Sequence, residues 1–190
     1  MSHDPVLEGF RETAAAAVAE IQAATDRLRL VADPLSGTPP CIFHLLFEPL
    51  THFERTPAGG AQTLTGPIAA SIRIPDDYLR CGDGSLQFRV AAIEPRILHP
   101  NCKAGVVCLG PRFAPGTKLR PLVEQLYDIL SSRVFATDHG FDPEACRVYL
   151  ANLERVKAIR SAAPPLWRRP LAASVRVAEQ PAPGPQGAAR

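Results

Sequence analysis

The first regular pattern of hydrophobic and polar positions runs from Pro5 to Ala32, where apolar residues recur about every 3.6 positions. Asp4 is a suitable N-cap, and proline is favoured at the first helical position, which Pro5 would occupy. The stretch DPLSGTPP at 33–40 then interrupts the pattern with turn-forming residues. The spacing therefore predicts an N-terminal helix over residues 5–32. Its apolar positions are Leu7, Phe10, Ala14, Val18, Ile21 and Leu28.

Three short apolar stretches follow, at 41–49, 63–75 and 85–95. Turn residues at 56–61 and 80–84 separate them, and these connections are too short to hold crossover helices. We therefore expect a meander of antiparallel strands.

The helical period returns at 117–134, with Pro121 in the first turn, and again at 142–162, where Asp142 can cap the helix and Pro143 follows it. The stretch ATDHGF at 136–141 is predicted to be the loop between these helices. The order helix, strands, irregular loop, helices indicates an α+β fold with helices packed against an antiparallel sheet.

The composition changes at residue 163, where proline and alanine become frequent. We expect one domain over residues 1–162 and a disordered tail over residues 163–190. Within the tail, Trp167 stands beside Arg168 and Arg169. This group is either a short peptide that orders on binding or an incidental tryptophan in a disordered segment.

Composition excludes several classes of protein. The chain has 190 residues, 46% of them hydrophobic, and a formal net charge of +2, which gives no strong electrostatic footprint for nucleic acid. No apolar run approaches the roughly 18 residues of a membrane span, and the N-terminus lacks a signal-peptide pattern. We therefore expect a cytoplasmic protein with no nucleic-acid and no membrane partner. Abundant alanine, proline and arginine favour a GC-rich bacterial genome as the source.

The five cysteines lie at 41, 81, 102, 108 and 146, and in a reducing cytoplasm they are expected to be free thiols. Cys102 and Cys108 share the irregular segment HPNCKAGVVCLG at 99–110. They can be buried apolar residues, a zinc site with His99, a disulfide, or a pair that includes a nucleophile. Zinc lacks the usual CxxC or HxxxH partner here, and a disulfide is unusual in the cytoplasm. Spacing alone leaves the buried and nucleophilic interpretations open.

The segment itself resembles the active-site motif of the ubiquitin-conjugating (UBC) enzymes, in which His-Pro-Asn is followed by a glycine and then by Cys-Leu. Three other stretches are similar to family segments in the same order: IRIPDDY at 72–78, FAPGTKL at 113–119 and DPEACRVY at 142–149. The resemblance covers about residues 5–160. One departure is that three residues, not the usual four, separate Asn101 from Gly105.

The resemblance implies a UBC-like fold and a role for each matching residue. Cys108 would carry the modifier as a thioester, and Cys102 would be an apolar filler. Asn101 would support either the tetrahedral oxyanion or the loop, and Asp138 would orient the attacking amine. The residues implied to support the site are His99, as a hydrogen-bonding residue and not a base, together with Pro100, Gly105 and Tyr78.

The implied function is transfer of a ubiquitin-like modifier from an activating enzyme to a lysine amine on a target protein. No cofactor is implied, since the activating enzyme uses the ATP. Arg11, Arg27 and Arg29, predicted on the first helix, would dock the activating enzyme or form an ordinary solvated face. The alternative function is a non-catalytic UBC-like binding module, and a weaker one is a thiol hydrolase on an unrelated fold. Bacterial proteins that resemble this family are encoded in operons, some of which serve antiviral defence. The resemblance therefore implies such an operon for this chain.

Overall fold

A computed structural model of the chain describes residues 4–58, 60–82, 84–94, 97–110, 113–136 and 140–167. It has an α+β architecture with an N-terminal helix, an antiparallel sheet and C-terminal helices, as predicted. The helices are α1 (Pro5–Ala23), α2 (Leu119–Leu130), α3 (Pro143–Ala151) and α4 (Leu153–Ala162), with a 3-10 helix at Ser85–Phe88. The strands are β1 (Leu28–Ala32), β2 (Ile42–Arg55), β3 (Ala61–Arg73), β4 (Ala91–Glu94), β5 (Cys102–Lys103) and β6 (Val106–Val107).

The N-terminal helix begins where it was predicted, because the Asp4 side chain accepts hydrogen bonds from the backbone N–H groups of Val6 and Leu7. Its predicted end at residue 32 is wrong, since α1 stops at Ala23 and β1 follows. In β1, Leu28 and Leu30 are buried and Arg29 between them is exposed. That alternation has the two-residue period of a strand. Residues 28–32 therefore form a strand, although Leu28 also fits the looser helical spacing.

The sheet has the strand order β1-β2-β3-β4-β6-β5 with every pair antiparallel, so the predicted meander is confirmed for β2 to β4, and β1 adds a strand that was not predicted. Its centre is the long β2–β3 hairpin. The pairing register shifts between Phe47 and Leu50, where Glu48 and Pro49 face the single residue Pro67. Proline has no N–H to give to the β2–β3 ladder at this point, whereas on the β1 side the Glu48 N–H donates to the Arg27 carbonyl.

The third predicted strand is shorter than expected. Its first part, Ser85–Phe88, is a 3-10 helix, and β4 begins only at Ala91. Gly84 precedes the 3-10 helix with a φ of 73°, a left-handed conformation that suits glycine. This helix brings Gln87 toward the irregular segment that carries Cys108.

Two hydrophobic clusters hold the layers together. The larger one joins α1 and α2 to the sheet, and the smaller one joins α3 and α4 to Phe53 near the end of β2. Among the described helices, none combines the length and the hydropathy that a membrane span requires. The smaller cluster consists of Phe53, Leu98, Ala145, Tyr149, Val156 and Ile159.

The helix predicted over 142–162 is two helices with a break at Asn152. The backbone there has φ −127° and ψ 33°, and the Asn152 Nδ2 donates to the Val148 carbonyl at 2.8 Å. Asparagine side chains compete in this way for backbone groups and weaken a helix. The break lets Tyr149 on α3 and Val156 on α4 both reach the smaller cluster.

Packing extends beyond the predicted boundary at residue 163. Leu166 is 4% exposed, and Trp167 packs against the larger cluster. The carbonyl of Pro164 accepts hydrogen bonds from Tyr127 Oη and Arg133 Nη2, and the carbonyl of Leu166 accepts one from Thr25 Oγ1. The remainder of the predicted tail, 168–190, lies outside the described residues.

We expect Leu166→Ala to lower the free energy of unfolding by about 2–4 kcal/mol, because it removes a buried side chain and leaves a cavity. Leu35→Ala is the matched control, since Leu35 is 93% exposed, and it should change stability by less than about 0.5 kcal/mol. Urea titration of both variants measures the difference. Equal, small effects would show that Leu166 does not belong to the folded core.

Candidate active site

The His99–Asn101 turn lies between the sheet and the C-terminal helices. The Cys102 N–H donates to the His99 carbonyl at 2.8 Å, which closes the turn, and β5 starts at once. The β5–β6 hairpin then reverses over two residues, Ala104 with φ 53° and Gly105 with φ 85°. Positive φ at both positions is the mark of the tight two-residue hairpin loop. The three-residue spacing between Asn101 and Gly105 is therefore accommodated by a short hairpin.

The backbone around Cys108 is held from both sides. Its N–H donates to the Asn101 carbonyl at 2.7 Å, and its carbonyl accepts from Asn101 Nδ2 at 3.2 Å. The next residue, Leu109, donates its N–H to the Gln87 carbonyl at 3.1 Å and accepts from Gln125 Nε2 through its own carbonyl. Four hydrogen bonds thus fix two consecutive residues, and the position of the thiol is set before any substrate arrives.

The Cys108 thiol is partly exposed, and its Sγ lies 3.8 Å from Gln87 Oε1. Partial burial raises its pKa above the ordinary value, while a hydrogen bond with the backbone of Gly110 acts in the opposite direction. At neutral pH the group is therefore mostly a protonated thiol. The site positions this sulfur without activating it.

Asn101 connects the sheet side of the site to the helix side. Its side chain is buried, with Nδ2 bonded to the Cys108 carbonyl and Oδ1 accepting from the Ala136 N–H at 3.2 Å. These two contacts support the loop, which is one of the two roles predicted for Asn101. The oxyanion role remains a prediction. Nδ2 has a second N–H that could serve it.

His99 is 1% exposed, and burial lowers its pKa to about 3, so its ring is neutral at physiological pH. Nδ1 accepts from the Asn101 N–H at 3.0 Å, which leaves the ring proton on Nε2. The ring packs edge-on against Tyr149 with centroids 5.1 Å apart. Among the described residues, Nε2 has no hydrogen-bond partner. His99 is thus held by contacts within the turn and with Tyr149, and its ring is neutral.

Asp138, the predicted amine-orienting residue, lies outside the described residues, and so does His139. Their described neighbours both adjoin the His99–Asn101 turn: Ala136 bonds to Asn101, and a Cβ built on Gly140 would lie 3.2 Å from the Pro100 carbonyl oxygen. Pro100 is buried, and its carbonyl also accepts from the Asp142 N–H at 3.1 Å. The turn therefore anchors the loop before 137 and the start of α3.

An aromatic contact joins the two loops that flank Cys108. Phe88 follows Gln87, Phe141 follows Gly140, and their rings lie 5.0 Å apart at 39°. Phe88 is partly exposed. The loop on the sheet side and the loop on the helix side therefore touch beside the candidate site.

Tyr78 is fully buried, packs 5.3 Å from Phe10 and donates its hydroxyl to the Thr117 carbonyl at 2.6 Å. Burial raises its pKa well above the ordinary value. It fixes the segment that leads into α2 against α1, which is a supporting position, away from the contacts of Cys108.

The three arginines predicted on one helix do not share a helical face. Arg11 lies on α1, but its Nη2 donates to the Ile74 carbonyl and pairs with Asp76 at 2.8 Å, so its guanidinium is held internally. Arg27 lies in the turn after α1, and Arg29 lies exposed on β1. The reason is the early end of α1. Docking of an activating enzyme by these residues remains a prediction.

Sequence reasoning missed three residues of the site: Gln87, Gln125 and Gly140. Gln87 and Gln125 stand at ordinary positions of a predicted strand and a predicted helix, where a glutamine is unremarkable. Only Gly140 gave a signal, since glycine in the ATDHGF loop suggests a close approach of backbone. Cys102 is 2% exposed and fills the core, in agreement with the role predicted for it.

Compared with known protein families and with curated proteins, the chain has no match. All five cysteines are free thiols. Within the described ranges, no three His, Cys, Asp or Glu side chains come close enough together to hold a metal ion. The chemistry of the site is that of a positioned thiol beside amide and backbone hydrogen-bond groups.

We expect the burial of neutral His99 to make stability depend on pH. The unfolded chain binds a proton near pH 6.5, whereas the folded pKa is about 3, so this contribution is present above pH 6.5 and is lost as pH falls toward 3. The loss is at most about 4–5 kcal/mol. His99→Gln should flatten the slope of unfolding free energy between pH 6.5 and 4. A slope in His99→Gln equal to that of the wild type would contradict the burial argument.

Gly140→Ala should destabilise the loop before α3, because the added Cβ would lie 2.6 Å from the Ala136 carbonyl oxygen and would overlap Cys146 Sγ. We expect a loss of about 1–3 kcal/mol in thermal or urea unfolding. Gly9→Ala is the control: Gly9 lies in α1 with open space around its Cα, so alanine there should stabilise the chain by up to about 1 kcal/mol.

Proposed function

We propose that the chain is a ubiquitin-conjugating-like enzyme with a UBC-like fold. It accepts a ubiquitin-like modifier from an activating enzyme as a thioester on Cys108 and transfers it to a lysine amine of a target protein. One observation carries the proposal: a partly exposed thiol whose own residue and the next are held by four hydrogen bonds from Asn101, Gln87 and Gln125.

The arrangement of the motifs supports the proposal. IRIPDDY spans the end of β3, FAPGTKL leads into α2, and DPEACRVY opens α3. The His-Pro-Asn turn and the Cys-Leu pair are joined directly, since Asn101 bonds to both the N–H and the carbonyl of Cys108. The two parts of the segment that carries the resemblance, residues 99–101 and 108–109, are thus bonded to each other beside the thiol.

The first chemical step is thioester exchange. The sulfur of Cys108 attacks the carbonyl carbon of the modifier's C-terminal residue, a new C–S bond forms, and the thiol of the activating enzyme leaves with its bonding pair. The proton of Cys108 passes to that departing thiolate. Because one thioester replaces another, the step needs no cofactor on this chain and no strongly activated nucleophile. The ATP is used by the activating enzyme.

The second step is attack of an amine on the thioester. A lysine of ordinary pKa, about 10.4, needs roughly 4 kcal/mol to lose its proton at neutral pH. We assign Asp138 to orient this amine and favour its neutral form. We assign Asn101, whose Nδ2 bonds to the Cys108 carbonyl, to donate its second N–H to the tetrahedral oxyanion, an interaction worth about 3–4 kcal/mol.

A non-catalytic UBC-like binding module is the second candidate function. The raised pKa of Cys108 favours it, because a thiol that is mostly protonated is a poor nucleophile by itself. A thiol hydrolase is less well supported, since it needs a general base and His99 is neutral and bonded to Asn101. For the conjugating function we expect a cytoplasmic protein, where thiols stay reduced.

The charging reaction tests the proposal. The chain is mixed with ATP, a ubiquitin-like modifier and the activating enzyme of that modifier, and the products are run on gels with and without reductant. The enzyme should form a reductant-sensitive adduct, and Cys108→Ser should give a reductant-resistant ester or no adduct. Cys102→Ala is the matched control and should leave the adduct unchanged. An adduct that follows Cys102 would overturn the assignment, and a complex without adduct would indicate the binding module.

A chase of the charged enzyme with free lysine tests the role of Asp138. We expect Asp138→Asn to slow discharge by at least about tenfold while charging proceeds at the normal rate, because only the amine step uses the carboxylate. Asp26→Asn, in the turn after α1, is the control and should discharge normally. Equal rates for both variants would remove Asp138 from the mechanism.

A further inference from the structure

A row of four exposed side chains crosses the face of the sheet that is turned away from α1 and α2. From β1 to β4 the row consists of Arg29, Leu46, Ala69 and Glu94, each paired with the next across the ladders. The row therefore begins with a cation and ends with an anion, and its large apolar side chain lies next to the cation.

A second row lies two residues further along the strands and has the same order of sizes. It crosses β1 to β4 as Val31, His44, Ser71 and Ala92. Val31 is 58% exposed and Leu46 of the first row is 42% exposed, and the two are diagonal neighbours on this face. In both rows the larger apolar side chain lies on β1 or β2, whereas β3 and β4 contribute only alanine, serine and the terminal carboxylate.

The small side chains leave a depression of about 280 Å³ in this face. Its lining includes Ala69, Ser71, Ala92 and Glu94 from β3 and β4, and His44 from β2. The raised side chains of β1 and β2 therefore stand beside a recess in the same surface.

The two charges that end the first row have no ion-pair partner among the described residues. Arg29 and Glu94 are separated by three strand spacings, about 14 Å, so they cannot pair with each other. Each charge is therefore open to a partner molecule, and the face carries one charge of each sign at opposite sides.

We propose that this face binds a second copy of the chain. The two-fold axis lies between the two sheets, parallel to the strands and midway between β2 and β3, so that β1 faces β4 and β2 faces β3 of the second copy. Arg29 then pairs with Glu94 of the second copy, twice in each dimer, and Leu46 packs over Ala69 of the second copy. The inference does not depend on the proposed conjugating function.

Symmetry distinguishes this arrangement from the other aligned one. Stacked sheets pack about 10 Å apart with their strands within about 30° of one another, so the side chains decide which axis is used. An axis across the strands would set β1 over β1, where raised side chains meet and Arg29 has no carboxylate opposite it. Only the axis along the strands places large side chains over small ones and opposite charges together, as a self-complementary interface requires.

The size of the face sets the strength of the dimer. Four strands with five residues on each measure about 19 by 17 Å, a footprint of roughly 320 Å². A standard interface covers about 800 Å² on each partner. We therefore expect a weak dimer that forms only at high protein concentration.

Sedimentation of the full chain over a range of concentrations tests the proposal. Between about 10 µM and about 1 mM the weight-average mass should rise from 20.5 kDa toward twice that value. Arg29→Glu and Glu94→Arg should each weaken the dimer at least about tenfold, because like charges then meet at both contacts. Arg160→Glu, at an exposed position of α4, is the control and should dimerise as the wild type does.

A mixture of the two single variants tests the pairing itself. In the mixed dimer the two reversed charges face each other and the two unchanged charges face each other, so both contacts are attractive again. An equimolar mixture should therefore dimerise like the wild type, and so should the double variant Arg29→Glu, Glu94→Arg. Recovery also shows that each single variant is folded.

Three results would overturn the proposal. A wild type that stays monomeric up to about 1 mM would leave this face to a different protein. A dimer that resists both charge reversals would lie on another surface of the chain. Failure of both the mixture and the double variant to dimerise would show that Arg29 and Glu94 do not face each other.

Discussion

The buried side-chain amide of Asn101 holds together the two sides of the molecule between which the candidate site lies. Its Nδ2 binds the Cys108 carbonyl at the end of the β5–β6 hairpin, and its Oδ1 binds the Ala136 N–H on the helix side. A buried amide left without these partners would cost about 1–3 kcal/mol for each unmet group. The hairpin and the loop before α3 are therefore held in one arrangement, and the neighbouring groups of the turn reinforce it through His99 Nδ1 and the Pro100 carbonyl.

This constraint produces a thiol that is positioned but not activated. Burial raises the pKa of Cys108, and the nearest histidine is neutral and bonded to backbone. A hydrolase would need the opposite, a base next to the sulfur. The proposed exchange between thioesters would need less, because an activating enzyme would supply an activated carbonyl and a good leaving group.

The helical layer is organised around a second set of contacts, which bring the chain back to its beginning. Residues 163–167 bind α2 through Tyr127 and Arg133 and bind the end of α1 through Thr25. Composition had assigned this stretch to a tail, because proline and alanine carry no helical or strand pattern. Backbone carbonyls do not depend on side-chain composition for hydrogen bonding, and Leu166 and Trp167 supply the apolar contact that fixes them.

Local chemistry in the sequence determined much of the fold. Asp4 and Asp142 start helices by accepting hydrogen bonds from the first N–H groups. The apolar stretches correspond to β2, β3 and β4, and Pro121 lies in the first turn of α2. These signals depend on residues only two to four positions apart, so they can be read directly from the sequence. The motif around Cys108 likewise separated the two cysteines, and the burial of Cys102 agrees with the role given to it.

Only the tertiary structure decided the rest, because those features depend on partners far away in the chain. The bond from Asn101 to Ala136 spans 35 residues, that from Gln125 to Leu109 spans 16, and that from Cys108 to Gln87 spans 21. The early end of α1 and the break at Asn152 likewise depend on what the neighbouring segments bury. The sequence alone thus indicated where most helices and the β2–β3 hairpin form, and its resemblance to the UBC motif indicated which thiol to consider. The folded chain decided how that thiol is held, since the groups that hold it meet only after the sheet and the helices have packed.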